Sequence, residues 1–284
     1  MKVDFFIVGT PKAGTTSLYY YLDDHPQIIM SSIKEPNYFS NQDISLQNLF
    51  YEETIIESLE DYHKLFPEDK TVKKYGESSV SYLFYKSVPK KIYQYNKRSK
   101  IIILLRNPIE RAYSHYLMDR RLGLVNQEFS DIFEKKSGIF FQQYFKLGNY
   151  TNQIKRYIDI FQEDNIHIIW YDKFKEDVAQ EVSKVYQFLS VDQDFKFNLN
   201  REYNKSLITN NKIVLAIYSV RSLRKILKRI FSVKFMIFIK TLFFQRNNKP
   251  ELSKSLKKEL IEYYYEDILS LEKLLKKDLR DWKR

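Results

Sequence analysis

Residues 3–21 read VDFFIVGTPKAGTTSLYYY, and their reading decides the fold. Val3–Val8 is a short apolar run of β-branched and aromatic residues, the signature of a strand buried on both faces of a sheet. Gly9–Gly14 then forms a tight turn carrying Pro11 and Lys12, and Thr15-Thr16-Ser17 opens a helix that runs through Leu22. A strand, a Gly-flanked loop and a helix N-terminus together make an anion site. The N–H groups of the first helical turn lack intrahelical partners, and the helix dipole adds positive potential. Lys12 supplies a full charge beside them, and the expected anion is a phosphate.

The stretch is close to a nucleotide-binding P-loop without being one. Gly9 and Gly14 have the P-loop spacing, but Thr15 stands where the lysine belongs, and the one Lys lies inside the loop at position 12. Magnesium-dependent chemistry on a γ-phosphate uses the lysine after the second glycine. Its absence disfavours kinases and NTPases and points to a nucleotide whose terminal group is not a γ-phosphate. An ordinary βα turn is the plainer alternative.

Bulk properties narrow the field. A chain of 284 residues with 44% hydrophobic composition can bury one sizeable core. With no Cys, disulfides and thiolate chemistry are excluded, and the 4 His, at 25, 63, 115 and 167, show no metal-ligand spacing. Nothing resembles a secretory signal, so a cytoplasmic protein is the expectation. The net charge of +11 is concentrated: residues 203–250 hold 11 basic residues and no acidic one. That bias predicts one basic patch facing an anionic partner such as an acidic glycan or a lipid headgroup, and argues against a nucleic-acid binder.

Further along, Ile28–Met30 reads as a short buried strand, followed by the loop SSIKEPNYFS at 31–40. In α/β proteins ligands bind at this edge of the sheet. Lys34 and Glu35 lie there, and Pro36 predicts an extended Glu35. A fixed carboxylate beside a lysine is a candidate general base, although a solvent-exposed Lys–Glu pair would read the same. Lys74–Ser79 reads as a turn or strand end, and Val88–Tyr95 as a helix. Lys100–Leu105 gives the strongest central-strand signal. It stops at Arg106-Asn107-Pro108, where Pro108 suits the first turn of a helix running to Arg121. Arg111, Ser114 and Met118 share a face by spacing. Arg106 and Ser114 can reach one phosphate, the guanidinium with paired donors and the hydroxyl with a third. This second strand–turn–helix repeats the architecture of the first. Thr151 is expected to cap a helix over 153–161, and Ile166–Trp170 is another strand, which makes His167 structural. Asp177–Leu189 and Glu251–Asp278 are amphipathic helices. The whole reads as an α/β three-layer fold with a central parallel sheet and a P-loop-like phosphate-binding loop. It is expected to be a single domain over 1–284, with a basic amphipathic helical insertion at about 207–249. That insertion is too short in its apolar runs to span a bilayer, and is expected to cover the active site or lie against an anionic membrane at its inner face.

These stretches resemble the nucleotide-dependent sulfotransferases, in particular the branch with the heparan sulfate sulfotransferases and their bacterial relatives. PKAGTTSL (Pro11–Leu18) is similar to the family's 5′-phosphosulfate loop, LRNPIERAYSHY (Leu105–Tyr116) to its 3′-phosphate site, and KEPNYFS (Lys34–Ser40) to the segment carrying its catalytic carboxylate. The resemblance covers about residues 1–200 and 250–284. It implies a sulfotransferase that uses 3′-phosphoadenosine 5′-phosphosulfate, releases 3′-phosphoadenosine 5′-phosphate and needs no metal. The acceptor would be a hydroxyl, or an amine, of a carbohydrate or glycolipid-like molecule. The resemblance assigns Pro11, Lys12, Ala13, Gly14, Thr15, Thr16 and Ser17 to the 5′-phosphate, with Lys12 on the bridging oxygen. It assigns Arg106 and Ser114, with Arg201 and Lys205 in a covering loop, to the 3′-phosphate, and Glu35 to the general base. Where many glycan-type members carry a lysine after the glutamate of GESSVSYL (Gly76–Leu83), this chain has Ser78, and Lys34 is the candidate replacement. Two other readings stand beside this one: a small-molecule kinase of related fold, and a non-catalytic module that binds an anionic glycan or membrane.

Overall fold

The computed structural model describes residues 2–47, 56–69, 72–198 and 250–284. The chain lays down β1 (Phe5–Gly9), α1 (Thr15–Asp23), β2 (Ile28–Met30), α2 (Asn41–Gln47) and α3 (Leu59–His63). Then come β3 (Lys74–Ser78), α4 (Val88–Tyr95), β4 (Lys100–Leu105), α5 (Pro108–Arg121), α6 (Phe129–Lys135) and α7 (Gly138–Tyr144). They are followed by α8 (Thr151–Ile158), β5 (Ile166–Trp170), α9 (Tyr171–Glu176), α10 (Val178–Leu189) and α11 (Lys254–Leu275). The five strands form one parallel sheet in the order β2-β3-β1-β4-β5.

Period-two alternation explains the layers. Phe6 and Val8 of β1, with Ile101, Ile103 and Leu105 of β4, face a core shared with α4, α5, α8 and α11. Phe5 and Ile7, with Ile102 and Leu104, face the opposite core, built with α1, α9 and α10. Both faces are covered, so these strands read as unbroken apolar runs. Burying each such side chain contributes about 1.5–3 kcal/mol. The expected three-layer α/β fold is therefore the observed one.

Two sequence expectations about elements are resolved. KYGES, read as a turn or strand end, is the strand β3, seated inside the sheet between β2 and β1. Its glycine and glutamate disguised it. A Cβ at Gly76 would lie 2.1 Å from the ring of Phe5, so the glycine is where the neighbouring strand's aromatic packs. Glu77 is fully buried and satisfied by hydroxyls from elsewhere in the fold. Thr151, in turn, is the first residue of α8 and not its cap. The cap comes from α11, where the Asp267 carboxylate accepts the N–H groups of Tyr150 (2.7 Å) and Thr151 (3.2 Å).

The expected insertion at 207–249, with Arg201 and Lys205, lies outside the described residues. Among the described residues no helix is long and apolar enough to cross a membrane.

Candidate active site

The carboxyl ends of β1 and β4, adjacent in the sheet, feed α1 and α5 respectively. Their two turns form one crevice, the position where open α/β sheets bind ligands. In the first turn, Gly14 adopts φ 93°, a left-handed conformation open to glycine, and a Cβ there would press on Phe174 at 3.1 Å. No side chain caps α1. The N–H groups of Thr15, Thr16 and Ser17 thus have neither intrahelical partners nor a side-chain substitute.

Lys12 also has positive φ (69°), a costly conformation for a side-chain-bearing residue that the surrounding loop enforces. Its ammonium reaches across to α5 and meets Met118 Sδ, a weak acceptor, at 3.3 Å. Burial brings its pKa down to about 8, and the charges of Arg121 and Arg106 push the same way, while Asp119 and Glu35 oppose them. An enclosed ammonium with no carboxylate in ion-pair contact among the described residues is suited to an anion.

Arg106, at the end of β4, belongs to the same crevice. Its guanidinium donates to the Lys12 carbonyl at 3.1 Å, lies 4.4 Å above the Tyr171 ring and pairs with Glu110 at 2.9 Å. Tyr150 donates its hydroxyl to the Arg106 carbonyl at 2.9 Å, which anchors the backbone. The two candidate donor-binding residues, 94 positions apart, are therefore in direct contact.

Ser114 is half-buried one helical turn before Met118, on the side of α5 that Lys12 touches. Arg111 lies two turns before Met118 on the same helix. It is fully buried, donates to the carbonyl of Tyr144 and lies along α5 with buried His115 and Asp119. Burial and the adjoining Arg111 charge hold His115 well below the ordinary histidine range, so it stays neutral.

Glu35 completes the group. It is not extended, as Pro36 suggested, but left-handed at φ 64°. The loop is overruled by tertiary hydrogen bonds: Glu35 N–H donates to Ser78 O (2.9 Å), and the Asn37 side chain donates to Glu35 O (3.0 Å). Lys34 donates to Glu35 Oε1. The Lys34 side chain is 16% exposed and that of Glu35 38%, so the pair is no free surface pair but opens to solvent on its carboxylate side. Glu35 acts electrostatically on Lys12, which puts the carboxylate and the ammonium in one field. Ser78, in the position of the family lysine, is buried and gives Glu35 its carbonyl as an acceptor.

Sequence reading missed Tyr171, Glu110 and Glu77. Glu110 was legible as the i+4 partner of Arg106. The others come from distant elements and carried no local signal. Among the described residues no group of His, Asp and Glu is arranged to hold a metal ion.

Known proteins match this chain in sequence and fold. The family model described as "Sulfotransferase domain" matches residues 2–215, and the chain belongs to that family. Its similarity to the membrane-associated sulfotransferase kil1 of Dictyostelium discoideum is 35% identity over 116 residues, covering 40% of this chain and 22% of that protein. With the heparan sulfate glucosamine 3-O-sulfotransferase 5 of Mus musculus it shares 25% identity over 192 residues, 65% of this chain and 52% of that protein. The chain thus spans about a fifth to a half of these curated relatives. A crystal structure of a sulfotransferase from Alicyclobacillus acidocaldarius superimposes with a TM-score of 0.74 at 27% identity, covering 100% of both chains.

Proposed function

We propose that this sulfotransferase takes the sulfuryl group from 3′-phosphoadenosine 5′-phosphosulfate and delivers it to a carbohydrate hydroxyl. The observation that carries the reading is the contact of Lys12 and Arg106 in one crevice, beneath the uncapped N-terminus of α1 and within the field of Glu35. Pro11–Ser17 hold the 5′-phosphate, with Lys12 and the N–H groups of α1 as donors. Arg106 and Ser114 hold the 3′-phosphate, and Arg201 and Lys205 are assigned to the same phosphate.

The chemistry asked of each residue follows from charge. Transfer is in line: the acceptor oxygen bonds sulfur as the bond from sulfur to the phosphate oxygen breaks. Glu35 accepts the hydroxyl proton, a role worth about 10²–10⁴-fold. With Oε1 engaged by Lys34, Oε2 is the oxygen that takes it. Charge grows on the departing phosphate, so Lys12 and the α1 N–H groups bind the transition state more tightly than the ground state. The positive charge comes from the protein, and the reaction as written uses no metal. The sugar acceptor is favoured by the heparan sulfate relative.

Titration calorimetry of the full chain with 3′-phosphoadenosine 5′-phosphate tests the reading. Micromolar binding that is unchanged by magnesium is expected. Binding only of ATP with magnesium would make the protein a kinase, and no nucleotide binding would make it a glycan- or membrane-binding module. Glu35→Gln is expected to abolish transfer and leave nucleotide affinity within about twofold, since it removes a proton acceptor and no phosphate donor.

A further inference from the structure

Glu77 is the most conspicuous charged group that the mechanism leaves unused. It sits at the carboxyl end of β3, opposite Phe6 of β1, and is 0% exposed. Its carboxylate accepts three hydroxyls: Ser79 Oγ at 2.5 Å on Oε1, and Tyr62 OH at 2.6 Å and Tyr82 OH at 3.1 Å on Oε2. Two of these hydroxyls continue into the loop that carries Glu35. Ser79 Oγ accepts the N–H of Asn37 at 3.0 Å, and Tyr82 OH accepts the N–H of Phe39 at 3.1 Å. Tyr62 contributes no hydrogen bond to a loop N–H; its ring stacks on Tyr38 at 4.6 Å.

A carboxylate only accepts, so it fixes the direction of each hydroxyl proton bonded to it. With the protons of Ser79 and Tyr82 pointed at Glu77, their lone pairs face the N–H groups of Asn37 and Phe39. Those N–H groups flank a backbone that needs such support: Glu35 (φ 64°) and Asn37 (φ 54°) are both left-handed, with Pro36 between them.

We propose that Glu77 is a positioning residue for Glu35: through the hydroxyls of Ser79 and Tyr82 it holds the Asn37 and Phe39 amides, and with them the left-handed turn that presents the catalytic carboxylate. Its role rests on the reading of Glu35 as the base, but the hydrogen-bond relay can be tested without that reading. The titratable groups facing Glu77 are Glu35 from the loop, Tyr62 from α3, Tyr82 from the turn after β3, Tyr95 from α4 and Tyr157 from α8. Burial raises the Glu77 carboxyl to about 7; the three hydroxyls oppose this and the Glu35 charge adds to it. The relay is thus complete when Glu77 is ionised, and loses its acceptor-only centre as pH falls through that value.

The experiment is residue-resolved amide hydrogen exchange on the full chain, with rates divided by the intrinsic rates at each pH. In Glu77→Gln, protection of both Asn37 and Phe39 should fall by about tenfold or more, the scale of one hydrogen bond to a charged system. Ser79→Ala should deprotect Asn37 alone, and Tyr82→Phe should deprotect Phe39 alone. Tyr62→Phe, which removes an equal bond to Glu77, should affect both least.

A purely structural Glu77 would make the three hydroxyl variants alike, and that pattern overturns the proposal. If Glu77→Gln does not fold, the contrast between Ser79→Ala, Tyr82→Phe and Tyr62→Phe decides. With 3′-phosphoadenosine 5′-phosphosulfate and water as the probe acceptor, Glu77→Gln should lower kcat and leave the donor KM within about twofold, as expected for a positioning role. A parent that binds no 3′-phosphoadenosine 5′-phosphate would defeat the sulfotransferase reading, while the exchange pattern would still judge the relay.

Discussion

The turn between β1 and α1 and the turn between β4 and α5 share a topology and lie side by side, yet they present opposite kinds of hydrogen-bond donor. The first leaves its helix uncapped behind a left-handed Gly14 and keeps its backbone donors for a ligand. The second spends them. Asn107 accepts the N–H groups of Ile109 (3.0 Å) and Glu110 (3.4 Å), and Pro108 at the first helical position has no N–H at all. What the second turn can offer is side chain: Arg106 at the strand end and Ser114 along the helix. Repeated architecture, which the sequence suggested, is therefore repeated topology with two different devices. One is a backbone cradle with an enclosed ammonium, suited to charge that develops during reaction. The other is a guanidinium held by Glu110 and Tyr171, suited to a fixed phosphate.

The contrast can be broken at several points. Lys12→Ala should show the largest effect, a loss of about 10²–10³-fold in kcat, or roughly 3 kcal/mol of barrier. Steady-state rates check it, and a loss confined to KM would strip Lys12 of its transition-state role. Arg106→Ala should weaken binding of 3′-phosphoadenosine 5′-phosphate by about 10–100-fold, the worth of a charge-assisted hydrogen bond of roughly 1.5–3 kcal/mol. It should leave adenosine 5′-phosphate almost untouched, and equal losses for both nucleotides would show that the two devices are not separate.

Proton linkage gives the next effect in size. Because burial brings the Lys12 pKa down to about 8 in the free protein, kcat/KM for the donor should fall above about pH 8, by at most tenfold per pH unit. The sign for stability is the reverse. Between about 8 and the ordinary 10.5 the folded protein binds fewer protons at Lys12 than the unfolded chain, so this group's contribution to stability rises with pH in that window. Activity lost alongside thermal stability above pH 8 would assign the change to unfolding and not to Lys12.

Two smaller effects sharpen the picture. Asn107→Ala should cost about 1 kcal/mol as a lost helix cap, lowering Tm by roughly 2–4 °C with little change in nucleotide affinity. Glu110→Gln should tighten binding of the 3′-phosphorylated nucleotide by about two- to fivefold, because it removes a competing partner of Arg106 worth about 0.2–1 kcal/mol. Weaker binding in that variant would mean that Glu110 aims the guanidinium and does not compete for it.

Much of the site was legible because its residues sit in local patterns. Gly9–Gly14, Lys12 and the helix behind them announce themselves within a dozen residues, and Arg106-Asn107-Pro108 marks the end of an unmistakable strand. Glu77 was hidden for the opposite reason. Ser79 and Tyr82 lie two and five residues from it, but only the fold turns their hydroxyls, with that of Tyr62 in α3, onto the buried carboxylate. The backbone of Glu35 was misread for a related reason: the preference imposed by Pro36 is weaker than the hydrogen bonds that Ser78 O, Ser79 Oγ and Tyr82 OH impose from across the fold.

By itself the sequence determined the layered α/β plan and the chemical types gathered at the edge of the sheet, because apolar periodicity and Gly- or Pro-marked turns act over a few residues. Only the tertiary structure decided which of those groups meet. It put Arg106 on the carbonyl of Lys12, buried Arg111 against the carbonyl of Tyr144, and set a buried carboxylate behind the loop of Glu35. The physical reason is that such contacts join residues dozens of positions apart, where packing and hydrogen-bond satisfaction outweigh any local preference.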